Sequence, residues 1–337
     1  MRILVLSHFP PMRGGIAAYA EQGVERLREQ GHEVSVASPE PSNAEHVIDL
    51  AQPGSGRALA RLARQYERLI VEFHPDMLGP PERSLLNRSV SLLRLAAGMR
   101  AAPSCELSIH EMNYGLGPTA PLQRLLTRPV WTLADKITVH TEREREDFAR
   151  GFWIDPKRVT VVSQARHMRR RLEESRAGAR AALGLPQDKI LLLAIGFLQP
   201  NKGFDRAIRA FAEVEHDNAC LYVVGSTWRA DEERMSHLQE LRRLAAETPD
   251  TELREGYLDD DQFDRWILAA DALVLPYRYG WSSNVMERGL LYDRPVVMSD
   301  TGGMAEQGAD RPGVLLVGDD RELVETLRKL VADPVIR

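Results

Sequence analysis

The stretch Asp271–Gly303, DALVLPYRYGWSSNVMERGLLYDRPVVMSDTGG, constrains the fold more than any other part of the chain. Ala272 to Pro276 is a short apolar strand, Tyr277 to Ser283 a polar loop, and Pro295 to Ser299 the next strand. Between them Asn284 starts a helix, because Ser282, Ser283 and Asn284 are all good N-cap residues. A strand feeding a helix start through small polar residues makes an anion site: free N–H groups and the helix dipole face whatever sits there. Glu287, one turn in, is placed to accept hydroxyl hydrogen bonds from a ribose beside a bound diphosphate. The plainer reading of Glu287 is a capping box, in which a Ser or Asn is followed three residues later by a Glu. Taken alone, these residues favour the capping box.

Strand–helix alternation runs through the whole chain. Ile3 to Ser7, Glu33 to Ser38, Arg68 to Phe73, Cys105 to Ile109, Lys136 to His140 and Arg158 to Val162 read as strands of a buried parallel sheet. Gly14 and Gly15 open the first helix after the loop His8 to Arg13, and Gly31 stops it. The pair either brings the backbone close to a ligand or forms a plain tight turn, and it is not GxGxxG. A second series begins at Ile190 and continues through Cys220 to Gly225, Thr251 to Tyr257, the opening stretch and Val314 to Val317. Helices over Asp231 to Ala246, Asp260 to Ala270 and Arg321 to Ala332 intervene. The pattern predicts two doubly wound α/β domains, 1–163 and 189–337, joined by an arginine-rich, partly helical connection over 164–188. The run Arg169-Arg170-Arg171 reads as a solvated linker face, with contact to anionic lipid as the alternative.

Three further places carry chemistry. His110-Glu111 lies just past a strand end, where open α/β sheets bind ligands, although a lone histidine there is by default a surface residue. Lys202 precedes Gly203 at a helix start, where an ammonium group meets a phosphate. Glu82 to Arg100 is a basic helix with Leu85, Leu86, Val90, Leu93 and Ala97 near helical spacing. It suits an anionic membrane surface, but the α/β pattern favours a half-buried helix with solvated arginines.

A net charge of −5 argues against nucleic acid as the main partner. Cys105 and Cys220 lie in separate apolar runs, which suits a reducing compartment and gives no disulfide framework or metal pattern. The N-terminal apolar run is too short for a signal peptide, and no apolar run approaches the roughly 18 residues of a membrane span. A cytoplasmic protein is expected.

Taken together and in order, these features resemble the retaining GT-B glycosyltransferases of family 4. The resemblance rests on Gly14-Gly15, His110, Gly196 with Lys202-Gly203, and the strand ending in Gly225. It continues through GYLDDDQFDRWILAADALVLP to Glu287 with Pro295-Val296-Val297, spanning about 300 residues. It implies two Rossmann-like domains facing each other across a deep cleft. A nucleotide-sugar donor would lie mainly on the second domain, and a saccharide or lipid-linked acceptor on the first. By the same resemblance Lys202 neutralises the departing diphosphate and Glu287 binds the ribose. N–H groups near Ser283, Asn284 and Val285 hold the phosphates, Tyr257 flanks the base, Gly15 contacts the phosphate from the other domain and His110 faces the sugar. No cofactor or metal is expected; Lys202 and helix dipoles take the place of a divalent ion.

Three positions depart from the family pattern. Tyr279 stands where the first of two glutamates eight positions apart is usual, and Phe197 where an arginine accompanies the lysine. Ser163-Gln164-Ala165 replaces Pro-His-Gly. The chain also ends at Arg337, before the C-terminal helix that in the family crosses back to the first domain. The expected function is transfer of a sugar from a nucleotide-diphosphate donor to an acceptor hydroxyl. A non-catalytic nucleotide-sugar binder acting with a partner is the alternative, favoured by Phe197 and Tyr279.

Overall fold

The computed structural model describes residues 1–12, 14–79, 83–111, 120–227, 232–280 and 282–333, except for the side chains at 120, 123, 124 and 126. The chain divides into two compact units, Met1–His167 and Met168–Arg337.

In the first unit β1 (Arg2–Leu6), β2 (Glu33–Ser38), β3 (His46–Val47), β4 (Arg68–Phe73), β5 (Cys105–Ile109), β6 (Lys136–Val139) and β7 (Val159–Val161) form one sheet. All its pairings are parallel, in the order β3-β2-β1-β4-β5-β6-β7. Its helices are α1 (Gly15–Glu29), α2 (Ser55–Ala63), α3 (Leu85–Ala101), α4 (Ala120–Trp131) and α5 (Glu142–Phe152). Ile3, Leu4, Val5 and Leu6 are all buried, as strands covered on both faces must be. The α2–α3 crossing depends on small residues: a Cβ on Gly98 would lie 2.4 Å from Leu59 Cγ.

The second unit begins with α6 (Arg176–Leu183). β8 (Ile190–Phe197), α7 (Phe204–Ala212), β9 (Ala219–Ser226), α8 (Glu232–Glu247), β10 (Thr251–Glu255), α9 (Asp260–Ala269) and β11 (Ala272–Leu275) follow. The series closes with α10 (Asn284–Leu291), β12 (Val296–Ser299), α11 (Gly302–Gly308), β13 (Val314–Val317) and α12 (Asp320–Ala332). This sheet is also parallel throughout, in the order β10-β9-β8-β11-β12-β13. Buried Arg180 fixes α6 to it, donating to Asp271 at 2.6 Å and to the Ala269 carbonyl at 2.9 Å.

β3, α2, α4 and α11 go beyond the alternation read from sequence. α11 starts on two glycines and α4 contains Pro129, so local propensity is poor and tertiary packing holds them. The expected helix starts at Glu82 and Asp231 fall outside the described residues, as does 112–118 after His110. Arg169 and Arg170 of the arginine run are exposed, as the solvated-face reading expects, while Arg171 is half-buried. Arg170 donates to the Leu291 carbonyl at 2.5 Å and pairs with Asp293, while Arg171 pairs with Asp260 at 3.2 Å. These partners lie over 85 positions away in sequence, at the start of α9 and the end of α10.

Candidate active site

In the second unit the strand order reverses between β8 and β11, so their following loops diverge and leave a crevice at the sheet's C-terminal edge. The loop after β8 carries a tight turn, Pro200–Lys202, and enters α7 through Gly203. Gly203 has φ 64°, and a Cβ there would lie 2.0 Å from the Pro276 carbonyl oxygen, so only glycine lets the two loops touch. Arg278 ties them from the other side. Its N–H donates to Asn201 O at 2.8 Å, and its guanidinium to Pro200 O at 2.7 Å and to both Asp205 oxygens at 2.8 and 2.6 Å. Burial pushes the Asp205 carboxyl up, but the Arg278 hydrogen bonds and charge outweigh it and hold the group below the usual carboxylate range. Arg206 adds bonds to Pro276 O at 2.8 Å and Ser299 Oγ at 3.2 Å.

Lys202 projects from this braced turn. Its ammonium lies 4.0 Å from the centroid of the buried Tyr277 ring, and no carboxylate among the described residues pairs with it. A cation held over a ring keeps its charge for an incoming anion, whereas one in an ion pair has already spent it.

The loop after β11 leads into α10. Ser283 is the N-cap, and its Oγ accepts from Met286 N at 3.2 Å. Asn284 and Val285 form the first turn, and Asn284 Oδ1 is buried without a partner among the described residues. The capping-box reading of Glu287 fails, because Met286 takes the third helical position that a capping box requires. The buried Glu287 carboxylate turns instead to Arg311, at 3.2 and 2.9 Å, and to Gln307 Nε2 at 3.1 Å. Gln307 also accepts from Ser283 N at 2.7 Å, so α11 and the residues after it fix the start of α10. Tyr279 is exposed, Phe197 ends β8, and Tyr257 follows β10 at the same sheet edge but beyond β9. Among the described residues no three His, Cys, Asp or Glu side chains are grouped as a metal ion needs.

The remaining expected residues belong to the first unit, whose order reverses between β1 and β4. Gly14 is the N-cap of α1 and Gly15 its first residue. His110, just past β5, is buried, and its ring points into a polar network. Nε2 lies 2.7 Å from Glu72 Oε2, Nδ1 lies 3.3 Å from His140 Nε2, and the Tyr19 ring meets its face edge-on at 4.6 Å. Both ring nitrogens already have partners, so this arrangement leaves none for a sugar. Glu72 is pushed up by burial, yet the His110 hydrogen bond and charge and the Arg166 charge hold it below its ordinary value. Arg166 in turn donates to Tyr19 Oη at 2.7 Å.

The sequence did not single out Tyr277, Arg278, Asp205, Arg206, Gln307 or Arg311. Asp205 had a local signal, an acid in the first turn of a helix; the others act through pairings remote in sequence.

Comparison with known proteins matches residues 14–165 to the glycosyl transferase 4-like domain and residues 189–333 to the glycosyl transferases group 1 model. The chain is a glycosyl transferase, 4-like in its first unit and group 1 in its second. A D-inositol 3-phosphate glycosyltransferase 2 from Catenulispora acidiphila is 30% identical over 56% of this chain and 45% of its own length. A GDP-mannose-dependent alpha-(1-6)-phosphatidylinositol monomannoside mannosyltransferase from Mycolicibacterium smegmatis is 26% identical over 98% of this chain and 89% of its own. The chain thus spans about half the length of the first of these curated relatives. Among solved structures, HepE of Anabaena in complex with UDP-glucose aligns with TM-score 0.72 at 15% identity, over 100% of this chain and 91% of that one. Sucrose-phosphate synthase from Thermosynechococcus elongatus aligns with TM-score 0.70 at 18% identity, over the same shares. At such identities these structures establish the GT-B fold of this glycosyl transferase family member.

Proposed function

We propose that this glycosyl transferase moves a sugar from a nucleoside diphosphate to an acceptor hydroxyl, with retention at the anomeric carbon. The observation that carries the reading is Lys202: an ammonium without a carboxylate partner among the described residues, on a turn braced by Arg278 and Gly203, at the sheet's switch point. The starts of α7 and α10 follow the two loops that flank that point, which suits a diphosphate. As the sugar–phosphate bond breaks, charge grows on the leaving diphosphate, and Lys202 with the helix N–H groups stabilises it. The leaving phosphate takes the acceptor proton, so no separate carboxylate base is required. A saccharide or lipid-linked hydroxyl fits the acceptors in the relatives' names. The unpaired, buried Cys105 and Cys220 suit a reducing, cytoplasmic setting or the inner membrane face.

The test has two stages. A thermal-shift panel of nucleotides and nucleotide sugars identifies the donor, since a ligand of the native state raises the melting temperature. Sugar release from that donor, with and without acceptor, then measures turnover. Binding without turnover selects the second reading, a nucleotide-sugar binder acting with a partner. Tyr279 and Phe197 favour it, as does the engagement of Glu287 by Arg311. An absence of any nucleotide shift removes both readings.

A further inference from the structure

The donor crevice occupies only the C-terminal edge of the second sheet, and a group of arginines gathers at the opposite edge. Asp271 and Arg294 stand side by side there, just before β11 and β12, as the parallel register of Leu273 with Val296 dictates. A carboxylate next to a guanidinium ordinarily pairs with it. Asp271 does not, because both of its oxygens are taken. Oδ1 accepts from Arg176 at 2.5 Å, and Oδ2 accepts from buried Arg180 at 2.6 Å and from Leu191 N at 2.7 Å. Those bonds fasten α6 and β8 to the start of β11.

The other acid close by is engaged as well. The Asp293 carboxylate pairs with Arg170, whose Nε donates to the Leu291 carbonyl at the end of α10. Arg294 is left over. Its backbone N–H donates to the Gly289 carbonyl at 2.9 Å, but its half-buried guanidinium pairs with no carboxylate among the described residues. Nε is buried and has no hydrogen-bond partner among them. Burial, then the Arg176 charge, outweigh the attraction of Asp271 and Asp293 and hold its pKa below the ordinary arginine value. Four guanidinium groups thus share two carboxylates. A partly buried cation among like charges costs stability unless a counter-charge arrives from outside the chain.

We infer that Arg294, with Arg170 and Arg176 flanking it, forms a second anion site, which takes the phosphate group of a small molecule. Guanidinium forks bind phosphate oxygens in pairs, and a phosphate dianion brings the negative charge that Asp271 and Asp293 do not supply. The site lies across the length of β11 and β12 from the loops that carry Lys202 and Ser283, so its ligand leaves the donor crevice free. α10 joins the two edges: Ser283 caps its start at the crevice, and Arg294 follows its end. An occupied site therefore bears on the helix whose first turn is assigned to the donor, which suits a phosphorylated effector.

The inference goes beyond the transfer reaction and is tested without donor or acceptor, so its failure leaves the transfer reading intact. Inorganic phosphate also suits Lys202 and the helix starts beside it, so the full chain carrying Lys202→Ala is the parent for every titration. Calorimetric titration with inorganic phosphate, at an ionic strength fixed with chloride, should show one site. Adding Arg294→Gln should weaken it by about tenfold, with Arg294→Lys between the two. Arg176→Gln should weaken it as well. Melting curves supply a readout that a purely structural arginine would not give. Without phosphate, Arg294→Gln should melt no lower than its parent, because it removes a cation that lacks a partner. With phosphate, the parent should gain melting temperature and Arg294→Gln should not. Glycerol phosphate, titrated alongside, identifies the source: tighter binding than inorganic phosphate assigns a phosphate monoester, and equal binding assigns phosphate itself. No binding of either, or binding that Arg294→Gln leaves unchanged, overturns the inference. So does an Arg294→Gln protein that melts lower without phosphate yet keeps the parent's phosphate gain, since Arg294 then serves the fold alone.

Discussion

His140 Nε2 lies 3.3 Å from His110 Nδ1, and the other nitrogen of His140 faces the Val162 carbonyl, also at 3.3 Å. A carbonyl only accepts, so His140 Nδ1 carries a proton. Burial, followed by the His110 charge, pushes the His140 imidazole down to about 3, so its Nε2 is bare and accepts from His110. On its other side His110 Nε2 meets Glu72 Oε2 at 2.7 Å, so Glu72, His110, His140 and the Val162 carbonyl form one continuous buried chain.

That arrangement predicts acid lability in the first unit. His8 and His167 are also held low, each at about 4; burial is the larger cause, joined by His74 for the first and Arg166 for the second. Unfolded, all three would titrate near the ordinary 6.5. Below that pH the unfolded chain binds more protons than the folded one. Their stabilisation is therefore complete above about 6.5 and is lost as pH falls toward 3–4, by about 1.4 kcal/mol per pH unit from His140 alone. In the second unit His237, lowered chiefly by burial, and Asp205, which burial raises but Arg278 holds low, work in the same direction, but Asp264, raised chiefly by burial, opposes them. Hydrogen exchange at pH 7 and pH 5 should show β4, β5 and β6 losing protection before the second sheet. Uniform loss across both units would count against this account.

Lys202→Ala should lower turnover by at least tenfold, about 1.4 kcal/mol, because the charge it meets grows as the reaction proceeds. Tyr277→Leu should produce a smaller fall by freeing the ammonium to wander, and Tyr277→Phe should retain the ring and the rate. Turnover of Lys202→Ala equal to wild type would remove the lysine from the chemistry.

The fold was largely legible in sequence because both sheets are built from apolar runs such as Ile190–Phe197, whose burial follows from composition alone. Helix starts at Ser283 and Gly15 were legible for a similar reason, since capping chemistry is local. The partners of the site residues were not. Arg311 is 24 positions from Glu287, Arg278 is 73 from Asp205, and His110 is 38 from Glu72. A single sequence carries no signal for such pairings. His110 shows the consequence: its place at a strand end was right, but whether its ring faced ligand or core depended on Glu72 and His140.

Gly203→Ala tests whether the contact between the two loops positions the lysine. At φ 64° an alanine is strained by about 1–2 kcal/mol, and its Cβ would overlap the Pro276 carbonyl at 2.0 Å. The turn can relieve that overlap only by shifting, which moves Lys202. Both melting temperature and turnover should fall. Gly256→Ala is the control, since its Cβ meets nothing within 4 Å and its effect should stay within about 0.5 kcal/mol. A stable, fully active Gly203→Ala protein would show that the contact is dispensable.

Glu287→Gln separates a helix anchor from a ribose ligand. The carboxylate side chain is 3% exposed and its partner Arg311 is 39% exposed, so neutralising the acid leaves a cation that water can still reach. The stability cost should accordingly be about 1–2 kcal/mol rather than the 3–5 of a fully buried pair. Arg311→Gln removes the same ion pair but retains the carboxylate, and should cost a similar amount. Affinity for UDP and GDP, measured by titration calorimetry on both variants, then isolates the second role. If Glu287 also accepts ribose hydroxyls, Glu287→Gln should bind nucleotide at least about tenfold more weakly than Arg311→Gln, because a charged acceptor makes the stronger hydrogen bond. Its two oxygens have room for this, since carboxylates offer about four acceptor sites and three donors occupy them here. Equal affinity in the two variants would leave Glu287 as the residue that holds α10 against Gln307 and Arg311, and the ribose would have to find its partner elsewhere along the crevice.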